Sequence, residues 1–232
     1  MAGVFEIADG FIDTVAKHHP QSATHMGVPG FDHLLTDYSP DAAEAFNADV
    51  RSTVSEMESA VPTNERERLC RDTFLDEASV YVEQFESREH LRDLNVMFSP
   101  VQSVRSIFDL MPQDSVEAWE NIASRMEKIG ESLAGYRQTL DIGRAEGLVT
   151  SERQVTGTAE LCEVWAGGGD TAPFFDSMVN AFAASDIIDD SLSSRIEDTA
   201  ASATDAYDQM GDYLRNSYLP DASPIDGVGR DR

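Results

Sequence analysis

The chain has 232 residues, 41% of them hydrophobic, with 43 Asp and Glu against 17 Lys and Arg, giving a formal net charge of −26. That apolar share can bury a sizeable core, whereas the acidic excess excludes nucleic acid and anionic membrane surfaces as partners, because both would repel it. Two cysteines, Cys70 and Cys162, without CxxC spacing exclude a disulfide framework and suit a reducing cytosol.

Apolar residues recur at helical spacing almost throughout, and strict alternation is scarce, so the fold is expected to be all-α. The expectation is a bundle of about seven to eight helices with no significant β-sheet, forming a single domain over residues 1–219, then a linker or tail over 220–232. The first helix runs from Val4 to His18, with Phe5, Ala8, Phe11, Ile12 and Val15 on one face, and ends near Pro20. Residues 20–38 hold prolines and glycines and read as an ordered loop with a short helical turn. Ser39 then caps a second helix with Pro40 at its first position, a buried stripe of Phe46, Val50, Val54, Met57 and Val61, and a stop at Pro62.

Thr63 begins a long third helix with Cys70, Phe74, Ala78, Tyr81 and Phe85 on one face; "NVMFSP" interrupts it, and a short helix follows over Val101 to Leu110. The fifth helix, Ser115 to Ala145, carries Trp119, Ile122, Met126, Ile129, Leu133, Tyr136 and Leu140 in a three-four alternation that requires a partner helix. Gly147 ends it. Ser151 to Gln154 has the form of a capping box and starts a sixth helix that stops at Gly167 to Gly169. "TAPFFDSMVNAFAAS" gives a seventh, and Ser191 to Tyr218 an eighth whose small residues admit a close neighbour.

Four of the five histidines, His18, His19, His25 and His33, fall within sixteen positions, which raises the question of a metal site. Helical zinc or di-iron sites place ligands on one face, as H-E-x-x-H or E-x-x-H. Neither pattern occurs, His90 included, and His33 with Asp37 is the one histidine with a carboxylate four positions on. Helix-end and loop hydrogen bonding is therefore the expected role of the cluster. Cys70 and Cys162 lie on apolar faces and read as core. The "GGGD" at 167–170 follows a helix and lacks a lysine, so it reads as a helix stop rather than a phosphate loop. Trp119, Trp165, Phe174 and Phe175 sit at helical spacing and read as core rather than a stacking platform.

Three stretches nevertheless carry a resemblance. "HPQSATHMGVPGFDHLLTDYSP", with Pro20, Ala23, Thr24 and Gly27 in a P-x-x-A-T-x-x-G pattern, resembles the start of the bacterial and archaeal family known as domain of unknown function 885. "RMEKIGESLAGYRQTLDIGRAEGLVTSERQV" resembles that family's helix and turn, and "YLPDASPIDGVG" the linker into its second half. The resemblance implies a helical, zincin-like metallopeptidase whose members hold zinc through an H-E-x-x-x-x-H-type motif in their C-terminal half. This sequence has no such motif. No catalytic, cofactor-binding or metal-binding residue is therefore expected on it, and zinc is implied for a C-terminal half alone. The chain is expected to be the N-terminal helical region, walling or covering a substrate channel, with a peptide as substrate. Its expected partner is the catalytic half, another protein or a second copy, met through an apolar helix face. A stand-alone helical interaction module is the alternative.

The N-terminal "MAGVFEIADGF" lacks a basic region and does not read as a secretory signal, and no uncharged apolar run approaches the ~20 residues that span a bilayer. The expected location is the cytoplasm. Lys17 and Lys128 are the sole lysines, and with the acidic surplus they point to a salt-rich cytoplasm, with a GC-rich genome, which also replaces lysine by arginine, as the alternative. Crowded carboxylates oppose compaction, and screening shortens from ~30 Å at 0.01 M salt to ~3 Å at 1 M. The melting temperature is expected to rise with KCl and to go on rising into the molar range. A plateau by about 0.5 M would leave screening alone as the cause, and a flat or falling series would reject both ideas.

Overall fold

The computed structural model describes residues 3–226. It is an all-helical bundle without a strand among those residues; an isolated bridge between Ser151 and Ser223 is its one extended pairing there. The sixth helix of the chain, α6 (Val116–Glu127), and α7 (Ile129–Ala145) carry the three-four seam, and every member of that seam is at most 2% exposed. Its partner is the long α10 (Asp190–Tyr213), which packs on α6, α7, α8 (Glu152–Trp165) and α9 (Asp176–Ala183). The small residues of α10 permit this close packing. Gly211 lies against Cys162, where an added Cβ would stand 3.3 Å from the cysteine Cβ, and Ala206 is 4.0 Å from where one would stand on Gly130.

The preceding chain forms α1 (Val4–His18), α2 (Pro20–Met26), α3 (Pro40–Ser59), α4 (Glu65–Glu86) and the short α5 (Pro100–Ser106). Helices α1, α3 and α4 gather a second, smaller apolar cluster around Val4, Ile7, Met57 and Ala60, with Cys70, Phe74 and Leu75 against it. It is separate from the main cluster built by α5 to α10.

Several local expectations shift in the folded chain. The segment 20–38 contains a full helix, α2, started by Pro20 and closed by Gly27 in the left-handed region at φ 71°. The buried edge of α1 is turned toward Val4 and Ile7, leaving Phe5 42% and Ile12 43% exposed. In α3 the cap and Pro40 are as expected, but Val61 lies past the helix and is 77% exposed. Asn64, not Thr63, caps α4: its side chain accepts from the Glu67 amide. The expected fifth helix is two, broken at Lys128, and the eighth ends at Tyr213 in a π-helical turn, Leu214–Tyr218.

Ser151 does begin α8, but no side-chain cap bond forms. Gln154 instead accepts from the Val96 amide at 2.9 Å. The capping box is made at Ser99 and Gln102, at the start of α5. Beyond α10 the chain stays packed: Ser223 donates to the Thr150 carbonyl, and Arg144 holds Asp221. The rest of the expected linker, residues 227–232, lies outside the described residues.

Candidate functional site

The three stretches that carry the family resemblance meet in space. Arg125, fully buried on α6, donates from Nε to the Leu34 carbonyl at 2.8 Å and from Nη2 to Thr24 Oγ1 at 2.9 Å and the Phe31 carbonyl at 3.2 Å. Thr24 in turn donates to Asp32 at 2.6 Å. Burial lowers the Arg125 pKa to about 10, with Asp32 opposing the shift. Along α7, Ser132 Oγ donates to the Thr36 carbonyl at 2.7 Å and Thr139 Oγ1 to the Tyr38 carbonyl at 2.8 Å. Gly135 lets Ser39 lie directly on the helix, since a Cβ there would stand 2.9 Å from the Ser39 nitrogen. The third stretch closes the set, with Tyr218 Oη accepting from the Thr150 amide at 3.1 Å. Within the pattern, Pro20 starts α2, Gly27 closes it and Thr24 meets Arg125, while Arg125, Ser132 and Thr139 fix the 27–38 loop to α6 and α7.

What the anchored loop delivers is one wall of a cavity of about 780 Å³. The end of α1 contributes His18 and His19, the loop Asp37 and Tyr38, and α3 Ala42, Ala43 and Phe46. Opposite stand Tyr81, Gln84 and Phe85 of α4, the 89–95 segment with His90, Arg92 and Asp93, and Tyr136 and Thr139 of α7. Aromatic contacts set these walls: His19 meets Phe46 edge-on at 4.5 Å, Phe46 meets Tyr81 at 5.3 Å, and His90 stacks on Phe85 at 4.3 Å with rings 3° from parallel.

The structure therefore brings His18 and His19 together with the distant His90 and separates them from His25 and His33. His25 Nδ1 pairs with the Gln21 carbonyl at 2.7 Å, and His33 is exposed on the loop. Of the cavity histidines, His18 turns Nε2 to Asp49 at 2.8 Å. Burial, with His18 adding repulsion, lowers the His19 pKa to about 4, and burial lowers that of His90, whose Nδ1 has no hydrogen-bond partner among the described residues. Asp93 lines the cavity and is exposed there, and the partial desolvation it meets raises its pKa. Its backbone carbonyl accepts from Tyr136 Oη at 2.6 Å. Burial pushes the hydroxyls of Tyr38 and Tyr81 up to about 12.

Among the described residues, no group of three or more His, Cys, Asp or Glu side chains is arranged to hold a metal ion. His18 is held by Asp49, His18 and His19 both pack on Phe46, and His90 stacks on Phe85. The remaining sequence candidates lie in the core or at its edge. Cys162 is fully buried with its thiol pushed up to about 12, Cys70 is half-buried, and Trp119 donates to the Gln113 carbonyl at 3.1 Å. Phe175 is fully buried, while Trp165 and Phe174 pack against the core under the Arg105 guanidinium. Gly167 and Gly169 take φ of 88° and 72° and stop α8. No described helix is long and apolar enough to cross a membrane. Asp37, Tyr38, Arg92 and Asp93 carry no motif, and Tyr136 read as seam. Asp37, Tyr38 and Tyr136 lie inside the resembling stretches, whereas nothing in the sequence singles out Arg92 or Asp93.

His19 gives a pH test. Its folded pKa of about 4 lies below the ~6.5 of an unfolded histidine, so the unfolded chain binds a proton that the folded chain refuses. The resulting stability is complete above pH ~6.5 and drains away as pH falls toward 4, on the order of 1–3 kcal/mol. His19→Asn is expected to cost more at pH 7 than at pH 4.5 in urea unfolding. An equal cost at both would show that the imidazole does not titrate this way.

Taken together, the fold and cavity define an all-helical protein with an aromatic, histidine-bearing recess held by a buried hydrogen-bonded anchor. Residues 20–232 match the family described as "Bacterial protein of unknown function (DUF885)", and the chain belongs to that family. The fold is similar to that in "The crystal structure of the putative lipoprotein from Colwellia psychrerythraea", with a TM-score of 0.72 at 12% sequence identity. The likeness covers 93% of this chain and 40% of that one, so this chain spans well under half the length of the solved structure. A search of curated proteins finds no match.

Proposed function

We propose that this chain is the helical substrate-facing region of a zinc-dependent, metallopeptidase-like hydrolase, and that its cavity is the part of the channel wall that meets a peptide. The observation that carries this reading is the cavity itself: about 780 Å³, with aromatic walls from α3, α4 and α7. That volume falls in the range of ligand-binding recesses, ~300–1,000 Å³. Family membership supports the reading, as does the likeness to a chain of which these residues cover 40%. Zinc belongs, on this reading, to residues outside the chain. The catalytic portion is then the partner, and Met97 and Phe98, 65% and 78% exposed on the loop between Asn95 and Pro100 beside the cavity, are placed to meet it.

The test is the whole gene product. Zinc-dependent cleavage of a peptide library is expected from a product that carries further residues, and none from residues 1–232 alone. A gene that encodes these 232 residues and nothing more, with no zinc-bearing partner encoded beside it, would overturn the reading in favour of a stand-alone interaction module.

A further inference from the structure

The charge left unneutralised in the cavity is negative. His19 and His90 are held neutral by burial near pH 7, and Arg92 is tied to Glu89. Asp37 and Asp93 both line the cavity, and neither forms an ion pair among the described residues. Asp37 accepts one hydrogen bond, from the Ser39 amide at 2.8 Å. The walls around them are rings: Tyr38, Phe46, Tyr81, Phe85 and Tyr136. Asp37 and Asp93 are exposed carboxylates beside aromatic faces that carry negative potential, and that setting favours an organic cation over an anion.

We propose that the cavity binds a primary ammonium group carried on an apolar stem, with Asp37 and Asp93 as its counter-charges and the aromatic rings as the walls that hold the stem. The proposal rests on the reading above that this cavity faces substrate, and it names the substrate class: peptides that present an ammonium group, either the α-amino terminus or a lysine side chain. An anionic ligand would meet two carboxylates and no free cation from the histidines. A wholly apolar ligand would leave both carboxylates facing a dry wall. An ammonium satisfies them and loses less by leaving water, because the rings replace part of its hydration.

The experiment is calorimetric titration of the 232-residue chain, at one fixed salt concentration, with phenylalanyl-leucine amide, its N-acetylated form, N-acetyl-phenylalanyl-leucine as the free acid, and N-acetyl-lysine methylamide. The free-amine dipeptide or the lysine probe is expected to bind, with N-acetylation of the dipeptide weakening it at least about tenfold if the α-amino group is the recognised source. Binding of the lysine probe alone assigns the side chain as the source. Asp93→Asn is expected to weaken the bound ammonium probe about tenfold and Asp93→Glu to restore part of that loss. The unmodified chain already discriminates among the probes, so the result stands even if a variant folds poorly. Equal affinity for free and acetylated dipeptide with no binding of the lysine probe, tighter binding of N-acetyl-phenylalanyl-leucine as its free acid, or no binding of either ammonium probe would overturn the proposal. The two readings separate cleanly. Ammonium binding by a chain whose full gene product cleaves no peptide would remove the hydrolase and keep this site, and peptide cleavage without ammonium recognition would do the reverse.

Discussion

Arg125→Met is expected to lower the unfolding free energy by about 2–4 kcal/mol, the larger of two backbone-level losses expected in this chain. The guanidinium is fully buried and supplies donors to two loop carbonyls, Phe31 and Leu34, and to the hydroxyl of Thr24. Methionine fills similar space but donates nothing. Each acceptor left dry costs about 1–3 kcal/mol, and relief from burying the cation returns part of the sum. The burial cost is visible in the Arg125 pKa, lowered to about 10, and in Nη1, which has no partner among the described residues. Urea unfolding with an unchanged slope would measure the loss, and hydrogen exchange should quicken at the amides of the 27–38 loop. A loss below about 1 kcal/mol would show that water replaces the guanidinium and that the anchor is not held by it.

Gly143→Ala is expected to destabilise by about 1–3 kcal/mol, although alanine is the better helix former by up to ~1 kcal/mol. The added methyl would press into the Leu91 carbonyl oxygen and stand 2.8 Å from that of Leu148. Both obstacles are backbone, which cannot swing aside as a long side chain can. The 89–92 turn must then lift from α7, and with it His90 and Arg92, which line the cavity. Gly10→Ala is the matching control. Gly10 lies inside α1 with nothing within 4 Å of an added Cβ, so that substitution should stabilise by roughly 0.5–1 kcal/mol. Thermal unfolding of the two variants should move in opposite directions. A stabilised Gly143→Ala would mean that the 89–92 turn rests on α7 loosely.

Much of the helical order is legible residue by residue. The span of α1 from Val4 to His18, the Ser39 and Pro40 start of α3, the Gly147 stop and the glycine stop after α8 all follow from side-chain spacing, caps and left-handed glycines. The Trp119 to Leu140 seam announced a partner, and α10, with its alanines and Gly211, is shaped to be one. These features are local. They depend on which residues lie three or four apart, and a sequence states that directly.

The cavity is different in kind. Its walls come from His19, Asp37, Tyr81, Asp93 and Tyr136, five segments with no shared periodicity. Hydrophobic spacing says which face of a helix is apolar, not which other face it will meet. Gln154 shows the same limit in one residue: its sequence context names it a cap, yet once Val96 is packed beside Gly157 its carbonyl takes the Val96 amide instead. Arg125 reads as one more surface charge on an acidic chain until the 20–38 loop folds over it. By itself, then, the sequence determined the class of fold, most helix ends and the core seam, because those are set by neighbours along the chain. The tertiary structure alone decided the break at Lys128, the anchor at Arg125 and the aromatic recess walled by α1, α3, α4 and α7, because each depends on which distant surfaces come into contact.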